Sequence, residues 1–156
     1  LIPGARICLF TDASEFFYSA TLTQVVEWDD SKHVTEQQHI PLATLSGEFK
    51  NSELKWRISE KEAYPIIRAI EEWEYMLITP QGFDIYGDHD NLVKIFHPEK
   101  EPKPYSKATE LRVYNWLYLL AQFKINRMEH IPGELNVWSD MLSSRANAAA
   151  KTKARL

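Results

Sequence analysis

The apolar residues change spacing along the chain in an order that few folds can satisfy. Three short β-prone segments come first, Arg6–Asp12, Tyr18–Val26 and Ile40–Ser46. After them Ala63, Ile66, Ile67, Ile70, Trp73 and Leu77 recur at helical period and mark one face of a long helix. Phe83–Gly87 is a short strand, Asp90–Phe96 a short helix, and His97–Lys107 a loop carrying Pro98, Pro102 and Pro104. A second long helix is expected over Lys107–Gln122, a fifth strand over Lys124–Ile131, and a final helix from Leu135 to about Ala149 after the Pro132-Gly133 turn. Three strands with direct connections make an antiparallel meander. Strand–helix–strand crossovers then place the last two strands parallel to the first. The expected architecture is α/β, a five-stranded mixed sheet flanked by helices.

Two local features bear on the long helix. Ser59 and Glu62 have the spacing of a capping box at its start. Pro65 lies inside it and is expected to bend or distort the first turns.

At 156 residues with 44% hydrophobic content, the chain suits a single domain with one core, expected over residues 1–150, with a basic, disordered tail at 151–156. It opens on Leu1 rather than Met, so it is expected to be a segment of a longer protein unless a preceding residue has been lost. No apolar run approaches the roughly 20 residues needed to cross a membrane. The single cysteine, Cys8, excludes an internal disulfide and a thiolate metal site, and fits a reducing intracellular compartment. Sitting in an apolar run, it reads as a buried thiol rather than a nucleophile. Net charge is −4, which by itself argues against a nucleic-acid partner. The charge is uneven, however. Residues 1–78 carry 7 Lys/Arg against 13 Asp/Glu, and residues 79–156 carry 11 against 9. A phosphate-binding face must come mainly from the second half, and the first supplies excess carboxylate.

Four acids stand where element ends would converge: Asp12 at the end of the first strand, Glu62 in the first turn of the long helix, Asp88 directly after the fourth strand, and Asp140 in the final helix. Taken singly, each is better read as a turn, cap or solvated-surface residue. Together they have the pattern needed for two-metal phosphodiester chemistry. Two divalent cations about 3.5–4 Å apart require several negative charges to offset their repulsion, and magnesium prefers oxygen donors. In an open sheet, the carboxyl ends of adjacent parallel strands face a common crevice where ligands bind.

The chain resembles the ribonuclease H domain of reverse transcriptase in gypsy-type long-terminal-repeat retrotransposons. The resemblance is carried by Phe10-Thr11-Asp12-Ala13-Ser14, Ser59-Glu60-Lys61-Glu62-Ala63, Asp88-His89-Asp90-Asn91-Leu92 and the stretch from His130 to Ser143, and it spans about Phe10 to Arg145. It implies a ribonuclease H-like fold and hydrolysis of the RNA strand of an RNA–DNA hybrid. It makes Asp12 the carboxylate bridging two Mg²⁺ ions, with Mn²⁺ as a substitute. Glu62 and Asp88 would complete one metal site and Asp140 the other, with Glu62 preferred to Glu60 and Asp88 to Asp90 by position. His130, ten residues before Asp140, matches a mobile histidine that assists proton transfer or product release, although a plain strand-end histidine fits equally well. Candidate nucleic-acid contacts are Ser14, Asn136, Lys107, Arg112 and Arg145, with Lys94, Lys124 and Arg127 as further backbone contacts.

Gly87 departs from the small hydroxyl residue usual before the Asp, and Ser144 adds a serine to the usual Leu-Ser-Arg ending. The basic protrusion with which some cellular relatives grip the hybrid is missing, so tight autonomous binding is not expected. The implied partner is the polymerase domain of the same polyprotein, and the implied location is a cytoplasmic virus-like particle. The rival expectations are a non-catalytic connector or nucleic-acid-binding domain of the same fold, and another nuclease or strand-transferase sharing it. Acids at all four positions weigh against the connector, and the position of the last acid weighs against the strand-transferase.

Overall fold

The structure, a computed structural model, describes residues 1–87 and 106–132. The elements are β1 (Arg6–Ala13), β2 (Phe17–Val25), β3 (Ile40–Glu48), α1 (Ile58–Leu77), β4 (Phe83–Gly87), α2 (Lys107–Leu120) and β5 (Ile125–His130). Short 3₁₀ turns at Val34–Glu36 and Asn51–Lys55 precede β3 and α1. The expected short helix at Asp90–Phe96, most of the Pro-rich loop, the final helix and the basic tail lie outside the described residues.

The strands form one sheet in the order β3-β2-β1-β4-β5. β1 pairs antiparallel with β2, and β2 with β3, while β1–β4 and β4–β5 are parallel. This is the expected mixed sheet. β1 reads as a continuous apolar run because it is buried on both faces. Ile7 and Leu9 join Ala20, Leu22, Phe83 and Ile85 on the face covered by α1, and Cys8 and Phe10 join Val25, Tyr86 and Ile131 on the other. The predicted stripe of α1, from Ala63 to Leu77, is buried throughout. Val113, Trp116 and Leu120 of α2 close the same layer. Each large apolar side chain buried there is worth about 1.5–3 kcal/mol.

Two details of α1 differ from expectation. The helix begins at Ile58, one residue before Ser59, and the Arg57 N–H donates to Glu60 Oε1 at 3.4 Å. The capping acid is therefore Glu60, which leaves Glu62 out of the cap. Pro65 stays within regular helix, and the backbone departs from helical geometry at Trp73 (φ −117°, ψ 25°) instead. Proline's fixed φ is itself helical, so at the eighth helical residue it forgoes the hydrogen bond to the Lys61 carbonyl and crowds it without ending the helix.

Asp84 lies in a strand buried on both sides and is 1% exposed. It is tolerated because Arg6 Nε donates to Oδ2 at 2.7 Å and the Tyr86 hydroxyl donates to it at 3.1 Å. Arg6 in turn covers the Trp28 ring at 3.7 Å. Burial pushes the nearby Cys8 thiol up to about 12, an inert core group as expected. The sheet rims are irregular: β3 contains Pro41, and the register shifts at Leu22/Thr23 and at Phe83/Asp84. Asn126 through His130 of β5 are all exposed.

Candidate active site at the carboxyl ends of the parallel strands

Three parallel strands end in one row. Thr11 of β1 is in register with Gly87 of β4, and Gly87 with His130 of β5. The Ile131 N–H donates to the Gly87 carbonyl at 2.9 Å and extends the row. Asp12 is the next residue of β1, half-buried, with its backbone opposite the buried Ser19 of β2. Gly87 immediately precedes Asp88, the first residue outside the described range. His130 is exposed at the end of β5.

The amino end of α1 borders this row. A cleft of about 470 Å³ lies between the turn after β1 (Ala13, Ser14, Glu15) and Trp56, Ile58, Lys61 and Glu62, with Leu54 at its rim. Glu62 is 8% exposed and lines the cleft. Glu60, two residues earlier, has a different environment. It is 1% exposed, forms an ion pair with Arg112 of α2, and lies 3.5 Å from the Thr109 hydroxyl. The two acids of the Glu-Lys-Glu stretch are thus sorted by the fold, one into a helix–helix lock and the other to the cleft.

The remaining predicted contacts have varied surroundings. Ser14 Oγ accepts from the Phe17 N–H at 3.1 Å and shapes the β1–β2 turn. Arg112, besides its pair with Glu60, lies over the Trp56 ring at 4.4 Å. Lys107 is exposed at the first position of α2, behind the Ser106 cap. Lys124 Nζ donates to the Pro80 carbonyl at 3.3 Å, and Arg127 pairs with Glu129 at 3.7 Å. Lys94, Asn136, Asp140 and Arg145 lie outside the described residues. Neither the Glu60–Arg112 lock, which joins residues 52 positions apart, nor the buried Lys61 has a local sequence signal.

Among the described residues no three His, Cys, Asp or Glu side chains are gathered as a metal site. Asp12 and Glu62 are half of the predicted carboxylate set, and the other half falls outside. The donor chemistry of the set is all carboxylate oxygen, which fits Mg²⁺ or Mn²⁺.

Residues 3–123 match the family described as the RNase H-like domain found in reverse transcriptase. The Tf2-3 and Tf2-4 transposon polyproteins of Schizosaccharomyces pombe are each 30% identical over 139 residues, 88% of this chain. The chain spans 9% of the length of these relatives. Among solved structures, the N-terminal RNase H domain of a Mycobacterium tuberculosis protein superposes with a TM-score of 0.58 at 18% identity, covering 97% of this chain and 99% of that one. RNase H1 from the archaeon Halobacterium salinarum gives 0.57 at 15% identity, covering 88% and 93%. A foamy viral protease-reverse transcriptase in complex with an RNA/DNA hybrid gives 0.56 at 20% identity, covering 83% of this chain and 16% of that one. At these identities the likeness is one of fold, and the fold is RNase H-like.

Proposed function

The chain belongs to the family of RNase H-like domains found in reverse transcriptase, and from that premise we propose that it hydrolyses the RNA strand of RNA–DNA hybrids. The reading is carried by one observation: the strand end bearing Asp12 and the strand leading to Asp88 finish in the same row, Thr11 beside Gly87, with Glu62 lining the adjoining cleft. Asp12, Glu62, Asp88 and Asp140 would hold two Mg²⁺ ions, or Mn²⁺ in their place. When bound, such ions lower the pKa of a water nucleophile and stabilise the leaving oxygen of an in-line displacement.

The chain's own residues would do the rest. Asp12 and Glu62, on a strand end and a helix, would present their carboxylates to those ions from a rigid frame. The exposed His130 would assist proton transfer or product release. The products would carry 5′-phosphate and 3′-hydroxyl ends. Selectivity for RNA would come from 2′-hydroxyls across a wide minor groove rather than from base edges. Ser14, Asn136, Lys107 and Arg145 would contribute contacts along the backbones. With a net charge of −4, affinity for the hybrid would come largely from tethering to the polymerase domain of the same polyprotein. The polyprotein would be that of a gypsy-type element, assembled in an intracellular virus-like particle.

The test is cleavage of a hybrid labelled on each strand, with Mg²⁺ or Mn²⁺, by the chain alone and fused to its polymerase. Loss of a carboxylate that organises the transition state lowers rates by about 10²-fold or more. Asp12→Asn and Glu62→Gln should each do so, with only the RNA strand cut by the parent. A fused protein that binds hybrid without cutting it would identify a connector instead.

A further inference from the structure

Lys61 stands between the two acids of the Glu60-Lys61-Glu62 stretch, where a lysine in a first helical turn ordinarily reaches solvent. Here the residue is 6% exposed. Its Nζ donates to the backbone carbonyl of Glu15 at 2.7 Å, 46 residues away, and lies 5.4 Å from the Phe49 ring centroid. Lys61 and Glu15 both line the cleft that holds Glu62.

Asp12 and Ala13 close β1 against β2, opposite Ser19 and Tyr18, and lead directly into the turn that follows. That turn is closed internally, with the Ser14 N–H donating to the Phe17 carbonyl at 2.8 Å, and is held to the residue after β3 by the Phe49 N–H donating to the Phe16 carbonyl at 2.8 Å. The Lys61–Glu15 hydrogen bond joins it to α1. A neutral donor would make this tie at a lower desolvation cost than a buried ammonium. The cation also lies in a wall that carries the Glu62 carboxylate.

We propose that Lys61 is a positioning residue, whose grip on the Glu15 carbonyl fixes the turn after β1 against α1 and so sets Asp12 relative to Glu62 for a divalent cation. The proposal rests on the nuclease reading above. Groups that orient metal ligands without touching the metal are worth about 10–100-fold in metal affinity when removed.

The test compares the full chain with Lys61→Met and Lys61→Arg by calorimetric titration with Mn²⁺, alongside kcat and KM on the hybrid and far-UV circular dichroism. Lys61→Met should weaken Mn²⁺ binding by about tenfold and lower kcat in parallel, with KM for the hybrid within about twofold. Lys61→Arg, which can still reach the carbonyl, should recover most of the affinity. Should Lys61→Met fold poorly, Lys61→Gln carries the same comparison. A parent chain that binds Mn²⁺ and a folded Lys61→Met chain that binds it equally well would overturn the positioning role alone. A parent chain that binds no Mn²⁺ would overturn the nuclease reading and this proposal with it.

Discussion

Replacing Arg112 with alanine separates two roles that its sequence position allows. In the structure its guanidinium pairs with Glu60, whose side chain is 1% exposed while that of Arg112 is 26% exposed. Removing one partner of a fully buried pair costs about 3–5 kcal/mol, because the other charge stays buried. Among the described residues, Glu60 would keep only long contacts, to the Arg57 N–H at 3.4 Å and the Thr109 hydroxyl at 3.5 Å. The arginine is partly solvated in the parent, so the lower end applies, about 3 kcal/mol. Loss of its contact with Trp56 adds about 0.5–1 kcal/mol. In a chain of 156 residues, each kcal/mol moves the melting temperature by about 2–4 °C, so Arg112→Ala should lower it by about 7–16 °C. An apolar pair, Glu60→Leu with Arg112→Met, should recover much of the loss, since hydrophobic replacements of buried ion pairs are often neutral or better. Circular dichroism melts measure this. Hybrid affinity against salt concentration, taken well below melting, measures the alternative. A phosphate-contacting arginine would lower the salt slope by about 1 when removed. A melting temperature within about 2 °C of the parent, together with a reduced slope, would refute the lock and restore Arg112 to the nucleic-acid face.

His39 should give stability a pH dependence. Its Nε2 lies 2.6 Å from the Val34 carbonyl, and its Nδ1 lies 2.7 Å from the Thr23 hydroxyl. The neutral ring thus donates at Nε2 and accepts at Nδ1. Burial lowers its pKa from 6.5, so the unfolded chain binds the proton more readily. The stabilisation is complete above about 6.5 and is lost as pH falls through the lowered folded value; melts at stepped pH should show this, and His39→Gln should flatten it. Gly82 has φ +73°, and a Cβ there would lie 2.2 Å from the Lys124 carbonyl oxygen, whereas Gly4 has φ +80° with nothing within 4 Å. Gly82→Ala should therefore cost more than the roughly 1–2 kcal/mol of left-handed strain that Gly4→Ala incurs, as read by urea denaturation.

Where one physical signal dominated, the sequence was a good guide. β1 is an apolar run buried on both faces, and α1 carries its core stripe at one period, so neither needed tertiary knowledge. The start of α1 was misplaced because Ser59/Glu62 and Arg57/Glu60 have the same three-residue spacing, and local spacing cannot choose between them. The fate of Glu60 depended on Arg112 arriving from 52 residues away. The burial of Lys61 is hidden from local sequence for a related reason: it comes from the β1–β2 turn docking on it, and nothing beside it in the chain indicates that. Of the site, Asp12 and Glu62 were singled out from element ends and resemblance, and the cleft between their elements became visible only in three dimensions.

The margins of the sheet bear on how such a domain keeps apart from other chains. Unpaired strand margins invite other chains to add on, and many copies of one chain crowded into a small volume would be most exposed to that hazard. Here one margin carries Pro41, which offers no amide hydrogen, and the other carries Arg127 and Glu129 side by side. A ladder continued across either side would meet a missing donor or charges that resist drying. Crowded copies can remain separate folding units, each closed to its neighbours.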